Sequence, residues 1–454
     1  MASPGSETIA AVATPPGRGG IGVLRVSGPC STSIAAAIAG PLPAPRTAAH
    51  RRFRDQSGDP IDHGLLLSFP GPSSFTGEDV VEFHAHGGPV VLDMLLERVT
   101  QLGARLARPG EFSERAFLNG KLDLAQAEAI ADLIDSSSRE AARGALRSLD
   151  GEFSLRINVL LEELTALRVF VEACIDFPEE EIDFLRESDV LDRLRGLRAR
   201  CEEVRREARQ GSLLREGLRV VLAGRPNAGK SSLLNILAGR DVAIVSAIPG
   251  TTRDVLREEI SLDGMPLHLI DTAGLRDSPD EIEREGIRRT LREAGQADRV
   301  LLVMDGCLEE TPEDVLTAAL APVATGLAPL TVLLNKCDLS GIPAGPVPDT
   351  EHPTFSVSAH TGAGLPELFD HLKRSAGMVS GESSRFSARR RHLDALERCR
   401  TAIDSALTAC ADFSSAELMA EDLRAAQSAL GEITGALSSD ELLGKIFASF
   451  CIGK

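Results

Sequence analysis

Eight residues in the middle of the chain constrain its fold more than any other stretch. Residues 224–231 read GRPNAGKS, the pattern of Gly, four residues and Gly-Lys-Ser. The apolar stretch Leu218 to Ala223 predicts a buried β-strand, and Ser232 to Leu237 predict the start of a helix. Strand, Gly-rich turn and helix in this order predict a phosphate-binding loop, because backbone N–H groups and the helix N-terminus can surround phosphate oxygens.

Two side chains of this loop suggest its chemistry. Lys230 is expected to reach the β- and γ-phosphates of a nucleotide, and the Ser231 hydroxyl is expected to ligate Mg²⁺. The alternative is a Gly-rich turn that binds nothing, and the flanking strand and helix argue against it.

A second strand is predicted from Leu267 to Ile270, and it runs into Asp271-Thr272-Ala273-Gly274. Asp271 at the strand tip can hold Mg²⁺ through water, and the Gly274 N–H can turn toward a γ-phosphate. These four residues therefore suit the phosphate end of a nucleotide.

The motifs expected to recognise the nucleotide base lie farther along the chain. Leu330 to Leu334 predict another strand, which precedes Asn335-Lys336-Cys337-Asp338. The Asp338 carboxylate can accept hydrogen bonds from N1–H and the 2-amino group of guanine, a donor pair that adenine lacks. Phe355 to Val357 then lead into Ser358-Ala359, whose backbone can meet guanine O6. Four motifs in this order, each at the end of a strand, predict a GTPase.

Composition limits the other classes. A length of 454 residues suggests two or three domains. Aromatic residues make up 4% with no Trp or Tyr, which argues against base-stacking modules, and the net charge of -18 argues against a protein coated with positive potential. Any contact with RNA is then expected from a local basic patch. No apolar run reaches membrane-spanning length, no signal peptide precedes Thr8, and the eight Cys lack CxxC spacing. We therefore expect a cytoplasmic protein with reduced thiols and no membrane partner.

The N-terminal region predicts strands from Thr8 to Val12, Gly20 to Ser27 and Val80 to His86. The loop from Thr14 to Gly20 lacks Gly-Lys-Ser and a following helix, so it is interpreted as a tight connection. In the third strand, alternation places three polar side chains on one face and three apolar ones on the other. The polar face carries Glu82, His84 and His86; it suits either a metal ion or, as we favour, a polar surface that faces solvent or a ligand.

The pattern predicts a multidomain α/β and all-α chain. Residues 1–119 form an α/β domain, 120–215 are helical throughout, 216–376 form a Ras-like P-loop G domain, and 377–454 are helical again. A helical domain interrupted by a complete α/β unit predicts that the G domain is inserted into it. Arg389-Arg390-Arg391 suits either RNA phosphate or a solvated helix start, and Cys451 is either reactive or an ordinary thiol.

Several longer motifs make the chain resemble the MnmE (TrmE) family of bacterial tRNA-modification GTPases over essentially its whole length. They are Ala13–Gly20, Phe75–Asp79, Pro109–Phe112, Gly224–Ser232, Gly250–Asp254, Asp271–Leu275 and the final Cys-Ile-Gly-Lys. The resemblance implies a folate-binding N-terminal fold that forms a homodimer, and a flavoprotein partner, MnmG (GidA), which would carry FAD. The pair would install carboxymethylaminomethyl or aminomethyl groups at C5 of the tRNA wobble uridine, with the carbon supplied by 5,10-methylene-tetrahydrofolate.

The resemblance also implies site residues by matching position. Contacts to 5-formyl-tetrahydrofolate would come from Arg25, Glu82, Lys121 and Lys454, which turns the Glu82 face from metal to folate. Mg²⁺ would be held by Ser231 and Thr252, and K⁺ by Asn227, Ser246, Ile248 and Thr251. The nucleotide site as a whole would comprise Asn227, Ala228, Gly229, Lys230, Ser231, Ser232, Ser246, Ala247, Ile248, Pro249, Gly250, Thr251, Thr252, Asp271, Thr272, Ala273, Gly274, Asn335, Lys336, Asp338, Ser358 and Ala359.

Leu275 stands where many GTPases place a Gln that orients the attacking water. The resemblance points instead to Glu283, acting through a bridging water, whereas the residues alone favour a solvated acidic loop. Two other classes remain open at this stage. One is a GTPase switch in ribosome assembly without base chemistry, and the other is a scaffold whose GTP site only sets conformation.

Overall fold

The structure is a computed structural model. It describes residues 7–176, 190–238, 257–262, 265–271, 297–320, 328–376, 386–411, 416–436, 440–448, 450 and 453. The chain divides into two compact units. Unit 1 comprises 1–131, 149–197 and 398–454, and unit 2 comprises 132–148 and 198–397.

The described strands, in chain order, are β1 Ile9–Val12, β2 Gly19–Ser27, β3 Ala49–Arg54, β4 Pro60–Phe69, β5 Val80–Gly87, β6 Arg105–Leu106, β7 Leu218–Ala223, β8 Arg257–Leu262, β9 Met265–Asp271, β10 Arg299–Asp305, β11 Leu330–Asn335, β12 Gly345–Val347 and β13 Thr354–Ser356. The described helices are α1 Ser31–Ala39, α2 Pro89–Gln101, α3 Glu111–Leu118, α4 Leu124–Ile134, α5 Arg139–Leu149, α6 Glu152–Asp176, α7 Val190–Glu216, α8 Lys230–Ala238, α9 Pro312–Leu320, α10 Cys337–Ser340, α11 Leu365–Ala376, α12 Arg390–Ala411, α13 Ala416–Thr434 and α14 Asp440–Ala448. Every helix in the described ranges is too short or too polar to cross a bilayer.

Unit 1 contains a sheet with the order β3-β4-β5-β2-β1-β6 among its described strands. All neighbours are antiparallel except β1 and β6. β1 and β2 form a hairpin, which confirms the tight connection predicted between Thr14 and Gly20. Along β5, Val81, Phe83 and Ala85 are buried in the core with α1 and α2, whereas Glu82 and His84 lie on the other, partly exposed face. The predicted alternation is therefore confirmed.

Helices account for most of residues 120–215, but the prediction that this region is helical throughout was too simple. The helix α4 ends at Ile134 and α5 begins at Arg139, after three serines at 136–138. A second break follows α5, where Gly151 adopts φ +92°. Serine side chains compete for backbone hydrogen bonds, and positive φ is easiest for glycine, so both sequences favour interruption.

Unit 2 contains a sheet with the described order β12-β13-β11-β10-β7-β9-β8, in which the five strands from β13 to β9 are parallel. β8 and β12 close its edges antiparallel. The four strands predicted from their apolar runs are present, and the last is displaced by one residue to Thr354–Ser356. Because carboxyl ends of parallel strands meet at one edge, the loops that follow β7, β10, β11 and β13 converge there.

Candidate functional site

The phosphate loop connects β7 to α8 as predicted. Lys230 is the first residue of α8 and is only 6% exposed, and its Nζ lies 2.6 Å from the Gly224 carbonyl oxygen. The same amine donates to the Arg225 carbonyl oxygen at 2.9 Å. The lysine charge is therefore held inside the loop that the sequence assigns to phosphate.

Two glycines of this loop cannot carry a side chain. A Cβ on Gly224 would collide with the Val303 carbonyl oxygen on β10, and a Cβ on Gly229 would collide with the Asn335 side-chain amide. Both glycines have positive φ, at +147° and +99°. Glycine is thus required by backbone conformation and by close approach of neighbouring strands.

Asn335 joins the phosphate loop to the loop after β13. Its Nδ2 donates to the Ala228 carbonyl oxygen at 2.9 Å, and its Oδ1 accepts from the Ala359 backbone N–H at 2.9 Å. The Asn335 residue is 3% exposed, so both bonds are shielded from water. One side chain therefore fixes the segments predicted to meet phosphate and guanine O6.

Lys336, in the motif predicted to read guanine, is bonded to Asp305, a residue that the motifs did not single out. Lys336 has φ +69°, and its Nζ lies 2.6 Å from Asp305 Oδ2 at the end of β10. The hydrogen bond from Lys336 is the main cause that lowers the pKa of Asp305. Asp338 follows on α10 and is exposed, so its carboxylate is accessible to a base.

The loop after β13 is shaped by its own hydrogen bonds. The Ser358 side chain is fully buried, and its Oγ accepts from the Thr361 N–H at 3.1 Å. Ala359 follows and is mostly buried. This is an ordered turn with its backbone directed by Asn335, as a base-contacting loop requires.

Part of the predicted nucleotide site lies outside the described residues. The strand β9 ends at Asp271, of which only the backbone is described. The nucleotide-site residues outside are Ser246, Ala247, Ile248, Pro249, Gly250, Thr251, Thr252, Thr272, Ala273 and Gly274, and the predicted catalytic Glu283 and Cys451 and the predicted folate contact Lys454 also lie outside. Their assignments stay predictions.

The described residues fit a magnesium–nucleotide pair. Ser231 is exposed in the first turn of α8, next to the glycine cradle, so its hydroxyl is available as an oxygen ligand. Asn227 is also exposed, and at φ +65° it occupies the left-handed region at the crown of the loop. Its side-chain oxygen suits a monovalent cation.

The predicted folate residues of unit 1 form a partial cluster. Arg25 and Glu82 are paired across β2 and β5, with Arg25 Nε 2.9 Å from Glu82 Oε1. His84 Nε2 lies 3.0 Å from Glu82 Oε2. The Arg25 guanidinium also lies 5.4 Å from the centre of the Phe75 ring and 5.8 Å from that of Phe112. Aromatic faces and a carboxylate hold this cation in one orientation.

Sequence reasoning placed His84 on the Glu82 face but missed the positions of Phe75 and Phe112 around Arg25. The two phenylalanines do stand in Phe75-Thr76-Gly77-Glu78-Asp79 and Pro109-Gly110-Glu111-Phe112, so motif membership could have pointed to them. Lys121 is exposed and packs beside Gly77, where a Cβ would lie 3.4 Å from Lys121 Cγ. Lys121 thus lies near the Phe75 loop rather than in the Arg25–Glu82 pair.

The structure gives no support to a metal on the β5 face. His86 is separated from the Glu82 pair by its own bond to Asp62, with Nδ1 and Oδ1 2.8 Å apart. Burial alone would raise the pKa of Asp62, but hydrogen bonds from His86 outweigh it and lower that pKa. Within the described ranges, no group of three or more His, Cys, Asp or Glu side chains suits a metal ion.

Two protein-family models match this chain, one over its N-terminal region and one over the rest. Residues 8–121 match the family described as GTP-binding protein TrmE N-terminus, and residues 124–451 match that described as MnmE helical domain. The second match brackets the seven-stranded sheet, so the predicted fold class, with a G domain inserted in a helical domain, is confirmed. Among solved structures, the G domain of the T. maritima FeoB iron transporter is 28% identical and covers 35% of this chain and 98% of its own. Its TM-score is 0.26, too low to support a structural inference.

Full-length relatives carry one name. The tRNA modification GTPase MnmE of Pectobacterium atrosepticum is 57% identical over 452 residues, 99% of each chain. That of Stutzerimonas stutzeri is 59% identical over 460 residues, covering 99% of this chain and 100% of its own. With this identity over the full length, and with the helical-domain match over 124–451, the chain belongs to the MnmE family of tRNA modification GTPases.

Proposed function

We propose that this chain is a potassium-dependent GTPase that acts with the flavoprotein MnmG (GidA) on tRNA. The reaction is the modification of C5 of the wobble uridine with a carboxymethylaminomethyl or aminomethyl group, using a one-carbon unit from tetrahydrofolate. The chain acts in the cytoplasm as a homodimer. The observation that carries the GTPase part is the Asn335 bridge, because it fixes the phosphate and guanine loops to each other.

The roles in GTP hydrolysis follow from position in the loop. Lys230 turns its amine from the Gly224 carbonyl to the β- and γ-phosphates, and the N–H groups of α8 add partial positive charge. Ser231, with Thr252, holds Mg²⁺, and Asn227 contributes to a K⁺ site. These ions, when bound, supply positive charge where the phosphates gain negative charge. Glu283 orients the attacking water in place of the side chain that Leu275 lacks.

Folate binding rests on the Arg25 cluster. A tetrahydrofolate combines donor groups on its pterin ring with glutamate carboxylates, so it suits a site with a carboxylate and cations. The Glu82 side chain is 15% exposed, and a carboxylate that accepts from Arg25 and His84 keeps further acceptor capacity. Lys121 and Lys454 supply positive charge for the ligand's carboxylates.

The domain limits 1–119, 120–215, 216–376 and 377–454 are part of the proposal. The competing proposal, a ribosome-assembly switch, would use the same G-domain motifs. It would have no need of the match of residues 8–121 to the TrmE N-terminus family. That match favours base modification.

The decisive experiment is nucleoside analysis of tRNA from cells that lack this chain. We expect the C5-modified wobble uridines to disappear and to return when the chain is supplied. A variant with Lys230→Ala is the matched control, because it keeps the N-terminal domain, residues 1–119, and is expected to lose nucleotide hydrolysis. Unchanged wobble uridines in the deletion strain would rule out the proposed reaction.

A further inference from the structure

One buried carboxylate in unit 2 holds two segments that lie far apart in sequence. Arg215 Nε and Arg389 Nη2 each donate to Asp132 Oδ1 at 2.7 Å. Ser387 Oγ donates to Asp132 Oδ2 at 3.1 Å. The Asp132 side chain is only 5% exposed, so these charged contacts are weakly screened by solvent.

The two segments border the G-domain sheet in the sequence. Arg215 lies in the last turn of α7, and β7 begins at Leu218. Ser387 and Arg389 lie on the other side, between α11 and the start of α12. The chain that leads into the sheet and the chain that leaves it are therefore bonded to the same side chain.

The leaving segment is also fixed through its backbone. The Ser387 N–H donates to Ser148 Oγ at 2.9 Å, and Ser148 Oγ donates back to the Ser387 carbonyl oxygen at 3.0 Å. Phe386 is fully buried, and a Cβ on Gly211 would collide with its carbonyl oxygen. This packing holds the Arg389 guanidinium at Asp132. Arg389 is therefore less available for the contact with RNA phosphate that was considered for residues 389–391.

Room for rearrangement exists beside the carboxylate. A cavity of about 220 Å³ is lined by residues that include Asp132, Asp135, Arg215, Glu216 and Ser387. Arg215 has a second acceptor there, because its Nη1 lies 3.0 Å from Glu216 Oε1. The arginine can thus change partners without losing all of its hydrogen bonds.

We propose that Asp132 is a positioning residue that transmits the nucleotide state of the G domain into α4. Asp132 belongs to unit 2, whereas residues 124–131 of the same helix belong to unit 1. A displacement of either bordering segment changes the hydrogen bonds of the Asp132 carboxylate. Asp132 lies within α4, which continues through both sets of residues. Energetic coupling between sites requires an element with more than one bonding arrangement, and Glu216 offers Arg215 an alternative to Asp132. The inference rests on the proposed function, in which GTP hydrolysis drives a reaction outside the G domain.

The test compares hydrogen exchange of the amides of 124–131 with GDP and with a non-hydrolysable GTP analogue. The unaltered protein is expected to show a nucleotide-dependent difference in protection. Asp132→Asn keeps the size of the side chain but removes its charge, and it should reduce that difference at least severalfold. Its GTP affinity should stay within about twofold, because the described bonds of the Asp132 carboxylate go to Arg215, Ser387 and Arg389 and not to the phosphate or guanine loops. Asp370→Asn, which removes a carboxylate bonded to Lys373 on α11, is the control and should keep the full response.

Ser387→Ala guards against a folding defect, because it deletes one bond to Asp132 without leaving an arginine unpaired. It should reduce the exchange difference by about half. A full response in Asp132→Asn or Ser387→Ala, or no response in the unaltered protein, would overturn the proposal. The failure of the proposed function is distinguishable, since it is read from wobble-uridine analysis rather than from exchange at α4.

Discussion

Lys336 Nζ lies 2.6 Å from Asp305 Oδ2, and this pair ties the guanine-reading loop to the neighbouring strand. β10 and β11 are parallel, and Asp305 stands opposite Asn335 in their register. Asp305 Oδ1 also accepts from the Cys307 N–H at 3.0 Å, which fixes the carboxylate itself. The left-handed conformation of Lys336 is therefore supported by a partner outside its own motif.

We expect Asp305→Ala to weaken GTP binding through Lys336. A hydrogen bond between charged groups contributes about 1.5–3 kcal/mol, so the KM for GTP should rise roughly tenfold or more. The kcat should change little, because Asp305 acts through Lys336 in the guanine-reading loop. Steady-state GTP hydrolysis gives both constants. Asp305→Asn, which retains an acceptor, should recover part of the affinity, and equal KM values in all three proteins would contradict this role.

Asp338→Asn should change which base is accepted. The carboxylate accepts from two guanine donors, and an amide placed there presents a donor to one of them. We expect GTP affinity to fall roughly a hundredfold or more, while xanthosine triphosphate gains relative to GTP because its ring carries an acceptor. Competition binding with the two nucleotides measures the ratio. Equal hydrolysis of ATP and GTP by the unaltered protein would contradict guanine recognition altogether.

The features that could be predicted from the sequence are those formed by residues close together in the chain. The phosphate loop needs a strand, glycines and a helix start within about fifteen residues, so local pattern was sufficient. The partners of Lys336 and Asp132 could not be found this way, because they lie 31 and up to 257 residues away. Such contacts depend on strand order and helix packing, which the hydrophobic periodicity of a single strand or helix does not determine. The position of Arg25 between Phe75 and Phe112 was missed for the same reason.

Glu82→Ala should weaken binding of 5-formyl-tetrahydrofolate by about tenfold or more, because Arg25 and His84 then lose their shared acceptor. Isothermal titration calorimetry measures the loss. Asp62→Asn is the matched control, since it removes a carboxylate bonded to His86 on the same sheet but outside the Arg25 pair. If the unaltered protein bound zinc at the Glu82, His84 and His86 face and had no affinity for folate, that face would be a metal site instead.

GTP hydrolysis should depend on K⁺ and on Glu283 in separable ways. Asn227→Ala should abolish the acceleration by K⁺ over Na⁺ while guanine selectivity is retained. Glu283→Ala should leave nucleotide affinity nearly intact and lower the rate about a hundredfold, the usual contribution of a positioned acid–base group. Single-turnover hydrolysis in each salt measures both effects. Equal rates of the unaltered protein in K⁺ and Na⁺ would show that the cation assignment is wrong.

Glu111 should make unfolding of the N-terminal region depend on pH. Its side chain is 3% exposed and accepts from Arg105 at 2.6 Å and Arg115 at 3.1 Å. Burial alone would raise the pKa of Glu111, but these bonds and the Arg108 N–H outweigh burial and lower the pKa from 4.5 to about 2. Because the folded pKa lies below the unfolded one, the stabilisation is present above about pH 4.5 and is lost as the pH falls toward 2.

Glu111→Gln should therefore lower the free energy of unfolding by about 3 kcal/mol at pH 7, the equivalent of that pKa difference. The gap between the two proteins should narrow as the pH falls below 4.5, the unfolded pKa, because the unaltered carboxylate loses its advantage. Urea denaturation at several pH values measures the difference in free energy of unfolding between the two proteins. Glu114→Gln, which removes a partly exposed partner of Arg108, should cost less than about 1 kcal/mol. A gap that is constant with pH would mean that packing at Glu111, rather than its charge, stabilises this region.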